Sequence, residues 1–280
     1  MTNSILILAN LAVGAESTAR YAAALGGPIH ARLTLLHHEV YPVLVEPELA
    51  AVAVEQTDRN EAETMVDLRA LAQRLPGQPE VLETVGFLDD GVAEAVQQQQ
   101  PLLLAMGLSH EQSTLDHLLV QQVLPALRAT HRPLLLVPRD APCVGPPRRV
   151  LVAVDGEAFI PNAASRALAP LLTAWSAAYT VAHVRTQEEA EGQAPGQLAL
   201  AAVNASGLFP SAVPLEIYEE AGLNPATGVL QAIADTQADL LMLLARPRSF
   251  LGKLFHRSVT AAVLRHCPVP VLLLPAEAAN

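Results

Sequence analysis

The stretch RATHRPLLLVP, Arg128 to Pro138, recurs as RHCPVPVLLLP, Arg265 to Pro275, with the Arg, a Pro, two Leu and the closing Pro in register. Working backward without a gap, PLLLAMGLS (Pro101 to Ser109) falls on ADLLMLLAR (Ala238 to Arg246), again an apolar run that ends where a turn should begin. A third echo sets SILILAN (Ser4 to Asn10) against RVLVAVD (Arg149 to Asp155). Three correspondences in one order, at similar separations, mark an internal repeat. The chain reads as two copies of one domain, 1–140 and 149–280, joined by a Pro-rich linker at 141–148.

The linker lies within RDAPCVGPPRR (Arg139 to Arg149), whose prolines and glycine disfavour helix and suit an extended surface segment. A chain of 280 residues is ample for two domains, each large enough to bury a core of its own.

Within each copy short apolar runs alternate with helix-like patterns, the signature of βαβ units around a parallel sheet. In the first copy the strands read as Ile5 to Leu8, Leu33 to Leu36, Val81 to Val85, Leu102 to Met106 and Leu134 to Val137. In the second they read as Val150 to Val154, Tyr179 to His183, Leu215 to Tyr218, Leu240 to Leu244 and Val269 to Leu274. ESTARYAAALGG reads as a helix closed by Gly26 and Gly27, because glycine accepts the left-handed conformation. Pro47 suits a first helical turn, and Met65, Leu68, Leu71, Ala72 and Leu75 follow at helical spacing. In the second copy Pro170 should kink or end a helix, and the glycines and prolines of Glu188 to Pro210 suggest a loop with a short helix.

Charge and composition exclude several classes. A net charge of -11 repels phosphate backbones and anionic lipid, so neither nucleic acid nor a membrane surface is expected as a partner. No apolar run reaches the roughly 18 residues of a membrane span. The opening ILILANLAVGA has no Lys or Arg before it and has a matching copy at Val150, so it reads as a first strand and not as a signal peptide. The cysteines, Cys143 and Cys267, make no disulfide framework or metal spacing, and the expected compartment is the cytoplasm.

On these residues the chain resembles tandem universal stress proteins. The segments that carry the resemblance are VLVAVDG (Val150 to Gly156), AHV (Ala182 to Val184), ADLLMLLARPRS (Ala238 to Ser249) and SVTAAVLRHCPVPVLLLP (Ser258 to Pro275), with LTLLHHEVYP (Leu33 to Pro42) and Pro101 to Pro138 in the first copy. The resemblance implies an α/β fold of two repeated doubly wound, Rossmann-like domains, each a five-stranded parallel sheet with helices on both faces. It also implies that the two domains pair through their last strands.

Many members of that family bind ATP with Gly, two residues, Gly, nine residues, Gly and then Ser or Thr after the fourth strand. Such glycines let backbone N–H groups reach phosphate oxygens at a helix N-terminus. Here the pattern is broken. Gly107 matches the first glycine of the first copy, but His110, Val120 and Gln121 stand at the later positions. In the second copy Leu244, Pro247 and Arg257 replace all three glycines, and only Ser258 remains. Proline offers no donor at all. The acidic residue that ends the first strand in nucleotide binders is Asp155 in the second copy and Asn10 in the first. The residue whose backbone would address an adenine is Val184 or His38.

Enzyme signatures are missing: there is no G-x-S-x-G elbow and no complete phosphate loop, and His110 with His117 lack a third ligand for a metal. The expectation is a non-enzymatic stress-response protein with degenerate ATP motifs in both halves and no cofactor. It would act through an unknown protein client or as a scaffold, with a homo-oligomer open to it. The alternative is a nucleotide or anion sensor binding ATP with Mg²⁺ in the second half. Asp155, Val184, Arg246, Arg248, Lys253, Arg257 and Ser258 would form its site, with arginine forks replacing backbone donors. The altered first-half cleft would comprise Asn10, Gly107, Ser109 and His110. A nucleotide hydrolase stands third, since it would need Mg²⁺ and a positioned water.

Overall fold

The computed structural model describes residues 3–9, 12–40, 62–108, 122–142, 144–185, 194–221, 224–246 and 259–278. The first half contributes β1 (Ser4–Leu8), β2 (Arg32–Val40), β3 (Glu80–Gly86), β4 (Leu103–Leu108) and β5 (Leu134–Pro138). The second contributes β6 (Arg149–Ala153), β7 (Phe159–Pro161), β8 (Ala178–Arg185), β9 (Leu215–Ala221), β10 (Leu240–Ala245) and β11 (Val271–Ala278).

Ten of these strands form one continuous sheet in the order β3-β2-β1-β4-β5-β11-β10-β6-β8-β9. Along this ten-strand path the five strands of each half are parallel. The halves meet antiparallel through their last strands, with Val271 opposite Leu136 and Leu273 opposite Leu134. The strands at the centre are unbroken apolar runs because both faces of the sheet are covered by helices.

Strand residues alternate between two apolar clusters. Ile5, Ile7, Leu35, Val150, Val152, Leu272 and Leu274 face the helices Ala12–Gly26, 62–74, Ala169–Ala174 and Pro195–Ala205. Leu6, Leu36, Leu136, Leu151, Val271 and Leu273 face Leu88–Gln99, Leu124–Thr130, Pro225–Thr236 and Val259–Leu264. Each cluster draws on both halves. Apolar burial is therefore divided by sheet face, and not, as length alone suggested, into one private core per half. The reason is the β5–β11 seam, which makes the two sheets one surface. Side-chain contacts also cross it: the buried Trp175 donates from Nε1 to the Leu25 carbonyl at 2.9 Å, and at the surface Asn162 donates from Nδ2 to the His131 carbonyl at 2.7 Å.

The strand reading agrees with the structure to within about two residues at most ends, the usual margin for strand and helix limits. Three local expectations change. The first helix ends at Gly26 with φ -84°, passes into a 3₁₀ turn at Gly27–Ile29, and the left-handed residue is His30 at φ 52°. Gly26 is instead a close-approach position: a Cβ there would sit 2.8 Å from both Ala31 Cβ and Ile5 Cδ1. The 188–210 connection holds a three-turn helix, Pro195–Ala205, because Pro195 stands in the first helical turn, where its missing N–H costs nothing. β7 has no counterpart in the sequence reading; it pairs antiparallel with the end of β11, Phe159 opposite Ala278. Pro170 does divide a helix, lying at the start of Ala169–Ala174 after the short Ala163–Arg166. Pro47 and Cys143 lie outside the described residues.

Candidate functional site

The carboxyl ends of the parallel strands carry the candidate residues, where open α/β sheets place their ligands. In the second half β6 runs out into Val154, Asp155, Gly156 and Glu157. Gly156 turns the chain at φ +82°, and a Cβ there would lie 3.3 Å from His183 Cε1. His183 is buried on β8 and its Nδ1 stands 3.3 Å from the Val154 carbonyl. Asp155 Oδ1 accepts from the Glu157 N–H at 3.2 Å, which closes the turn.

Arg246 follows β10 directly and reaches across this turn. Its Nη2 donates to Asp155 Oδ1 at 2.8 Å and to the Glu157 carbonyl at 3.0 Å, while Nη1 donates to Glu157 Oε2 at 2.5 Å. The Arg246 side chain is 11% exposed, whereas those of Asp155 and Glu157 are 58% and 74% exposed. One guanidinium is thus shared by two carboxylates, leaving the trio with a surplus negative charge. Exposure of both acids limits each ion pair to about 1 kcal/mol or less.

Val184, expected beside Asp155 in the site, is buried and packs elsewhere. A Cβ on Gly228 would lie 2.6 Å from Val184 Cγ1, so the helix Pro225–Thr236 rests its glycine on that side chain. Its first-half counterpart obeys the same rule: His38 Nδ1 is 3.2 Å from Thr84 Oγ1, and a Cβ on Gly91 would meet those atoms at 3.0 and 2.8 Å. Gly91 and Gly228 align at the spacing that aligns Arg128 with Arg265, so the repeat carried this signal unread. Glu157 was missed as well; only its place two residues after Asp155 hinted at a second carboxylate.

In the first half Gly107 is the penultimate residue of β4, beside the helix Ala12–Gly26. A Cβ on Gly107 would lie 3.0 Å from Thr18 Oγ1 and 3.6 Å from the Gly14 carbonyl, so no larger residue fits without a shift. His37 is buried on β2, in keeping with a core histidine. Asn10, Ser109, His110, His117, Val120, Gln121, Pro247, Arg248, Lys253, Arg257 and Ser258 lie outside the described residues. The structure therefore brings together Asp155 and Arg246 from the expected set. Among the described residues no group of three or more His, Cys, Asp or Glu is placed to hold a metal, and no helix is long and apolar enough to cross a membrane.

Residues 147–275 match the sequence model of the universal stress protein family. A universal stress protein of Mycolicibacterium smegmatis is 39% identical over 65 residues, which is 23% of this chain and 50% of that protein, so the chain spans half the length of this curated relative. The crystal structure of a universal stress protein from Archaeoglobus fulgidus superposes with TM-score 0.64 at 16% identity, covering 98% of this chain and 96% of that one. A protein of unknown function from Pseudomonas aeruginosa superposes with TM-score 0.57 at 17% identity, covering 98% and 92%. At these identities the two structures speak for the fold. With the sequence match confined to one half, residues 147–275 form a universal stress protein domain.

Proposed function

We propose that the chain is a tandem universal stress protein, with the first half a second, more divergent copy of the domain, and that it is a cytoplasmic, non-enzymatic stress-response protein acting through protein contacts or as a scaffold. The repeated strand order on either side of the seam supports the tandem reading. One observation carries the functional reading: the Arg246 guanidinium holds the Asp155 and Glu157 carboxylates. The acidic residue that a nucleotide-binding relative would turn toward its ligand is here committed to an internal cation. Leu244, on β10, stands at the first glycine position of the phosphate pattern, and a side chain there obstructs the close backbone approach that phosphate oxygens require. Both features support a second half that holds no triphosphate.

The test is a thermal-shift series on the full chain with ATP, ADP, AMP and sulfate, each with and without Mg²⁺, beside native mass spectrometry of the purified protein. The expected outcome is no bound nucleotide and no stabilisation. A nucleotide present at a hundred times its dissociation constant would stabilise the fold by ~2.7 kcal/mol, a readily measured shift. Reproducible stabilisation by ATP would overturn the proposal, and its loss in Arg246→Ala would establish the anion-sensor reading instead.

A further inference from the structure

At the opposite end of the sheet from Arg246, a cavity of about 270 Å³ opens between the first residues of β6, β8 and β9 and the C-terminal end of the helix Pro225–Thr236. Two opposite charges line it, Arg149 and Glu216. Arg149 donates from Nε to the Gln237 carbonyl at 2.7 Å, which fixes the guanidinium by one N–H, and its two Nη groups have no hydrogen bond among the described residues. No ion pair joins it to Glu216, and among the described residues the Glu216 carboxylate has neither a hydrogen bond nor an ionic partner. The Thr180 hydroxyl lines the same wall.

The first half places its cation differently here. Strand register sets Thr34 beside Glu80 as it sets Thr180 beside Glu216. At the start of β1, however, Ser4 stands where β6 has Arg149, and its hydroxyl donates to the Gln99 carbonyl at 3.5 Å. Thr34 is buried there, whereas Thr180 is half-buried and opens on the cavity. The threonine and the acid recur in both halves, but the first carries its guanidinium on β2, as Arg32 beside Ser4, where the second has Ala178 in the cavity wall beside Arg149.

From this geometry we infer that the cavity is a binding site for a short amino carboxylate. A guanidinium held by Nε presents its Nη groups for paired hydrogen bonds to a carboxylate. An ammonium is drawn to the Glu216 carboxylate. A simple anion would meet the Glu216 charge and a simple cation the Arg149 charge, so a ligand carrying both ends is selected over either alone. The volume lies just under the roughly 300 Å³ at which drug-sized pockets begin, which favours a small metabolite.

The experiment is a titration of the full chain with glycine, β-alanine and 4-aminobutyrate, followed by ligand-detected NMR and calorimetry, with acetate and methylammonium as single-charge controls. At least one amino carboxylate is expected to bind saturably, and each control about tenfold more weakly or not at all, the loss of one charge-assisted contact. Arg149→Gln and Glu216→Gln should each weaken binding by about the same factor, while Glu80→Gln, the matching change in the first half, leaves it unaltered. Glu216 is exposed, so its variant keeps the fold if Arg149→Gln does not. Failure of every amino carboxylate to saturate overturns the inference. So does acetate binding as tightly as the amino acids, or Glu80→Gln weakening binding as much as Glu216→Gln.

Discussion

At the carboxyl ends of β4 and β10 the two halves solve one steric problem in opposite ways. Gly107 lies against Thr18, which would have to shift slightly to admit a Cβ, while the equivalent Leu244 is followed by Arg246, whose long side chain spans the turn after β6. The first half has a glycine at this point, and the second has a leucine followed two residues on by a guanidinium that holds the Asp155 turn. Below that level the halves agree: Gly91 rests on His38 and Thr84, and Gly228 on Val184. The repeat thus preserves the helix-to-sheet contact that sets the layers and varies the rim where a ligand would sit.

The comparison presumes two halves locked into one body, and the largest expected effect tests that lock. Trp175→Ala removes a buried indole and its hydrogen bond to the Leu25 carbonyl, and should lower stability by about 3 to 5 kcal/mol in urea denaturation. An unchanged midpoint would mean that the seam is not a shared core. Next comes the preserved contact. Gly228→Ala places a methyl 2.6 Å from Val184 Cγ1 and should cost about 1 to 3 kcal/mol, partly offset by the better helix propensity of alanine. Val184→Ala in the same chain should recover most of the loss. Gly91→Ala should cost less, since the Thr84 hydroxyl can turn aside, and a larger loss there would show that the two glycines do different work.

Smaller again is the rim itself. Arg246→Ala should lower stability by about 1 kcal/mol, with a difference that shrinks as salt is added, because both carboxylates are exposed. A salt-independent loss would assign Arg246 to packing. The smallest effect is alkaline. Burial pushes the Cys267 thiol up to about 11 and raises the Tyr179 phenol beyond its ordinary range. Between the ordinary thiol value of about 8.5 and the folded value, the unfolded chain releases a proton that the folded chain keeps, so stability falls as pH rises. Cys267→Ala should flatten that slope, as read by melting temperature against pH.

Much of the fold was legible because parallel strands covered on both faces leave apolar runs that cannot be mistaken for surface. Leu134 to Val137 and Leu240 to Leu244 needed no neighbour to be recognised. Gly26 and Gly27 were placed correctly near a helix end but for the wrong reason, since the need at Gly26 is clearance from Ile5, a residue on another element. β7 is three residues long and exists because the end of β11 extends past Pro275 to meet it. Of the candidate site, Asp155 was legible from the resemblance and Arg246 from its charge, beside Arg248, Lys253 and Arg257. That they face each other, with Glu157 as a third member, required folded coordinates.

By itself the sequence determined that the chain is an α/β structure whose apolar segments echo one another between its halves, and where its main strands lie. These are properties of spacing and residue type, and they survive whatever the chain packs against. Tertiary structure alone decided that both halves share two apolar layers across one seam, and that Arg246 turns to two carboxylates. It also decided that Arg149 and Glu216 flank a cavity without closing it. The physical reason is reach: each outcome depends on side chains far apart in sequence arriving within a few ångströms, which no local pattern encodes.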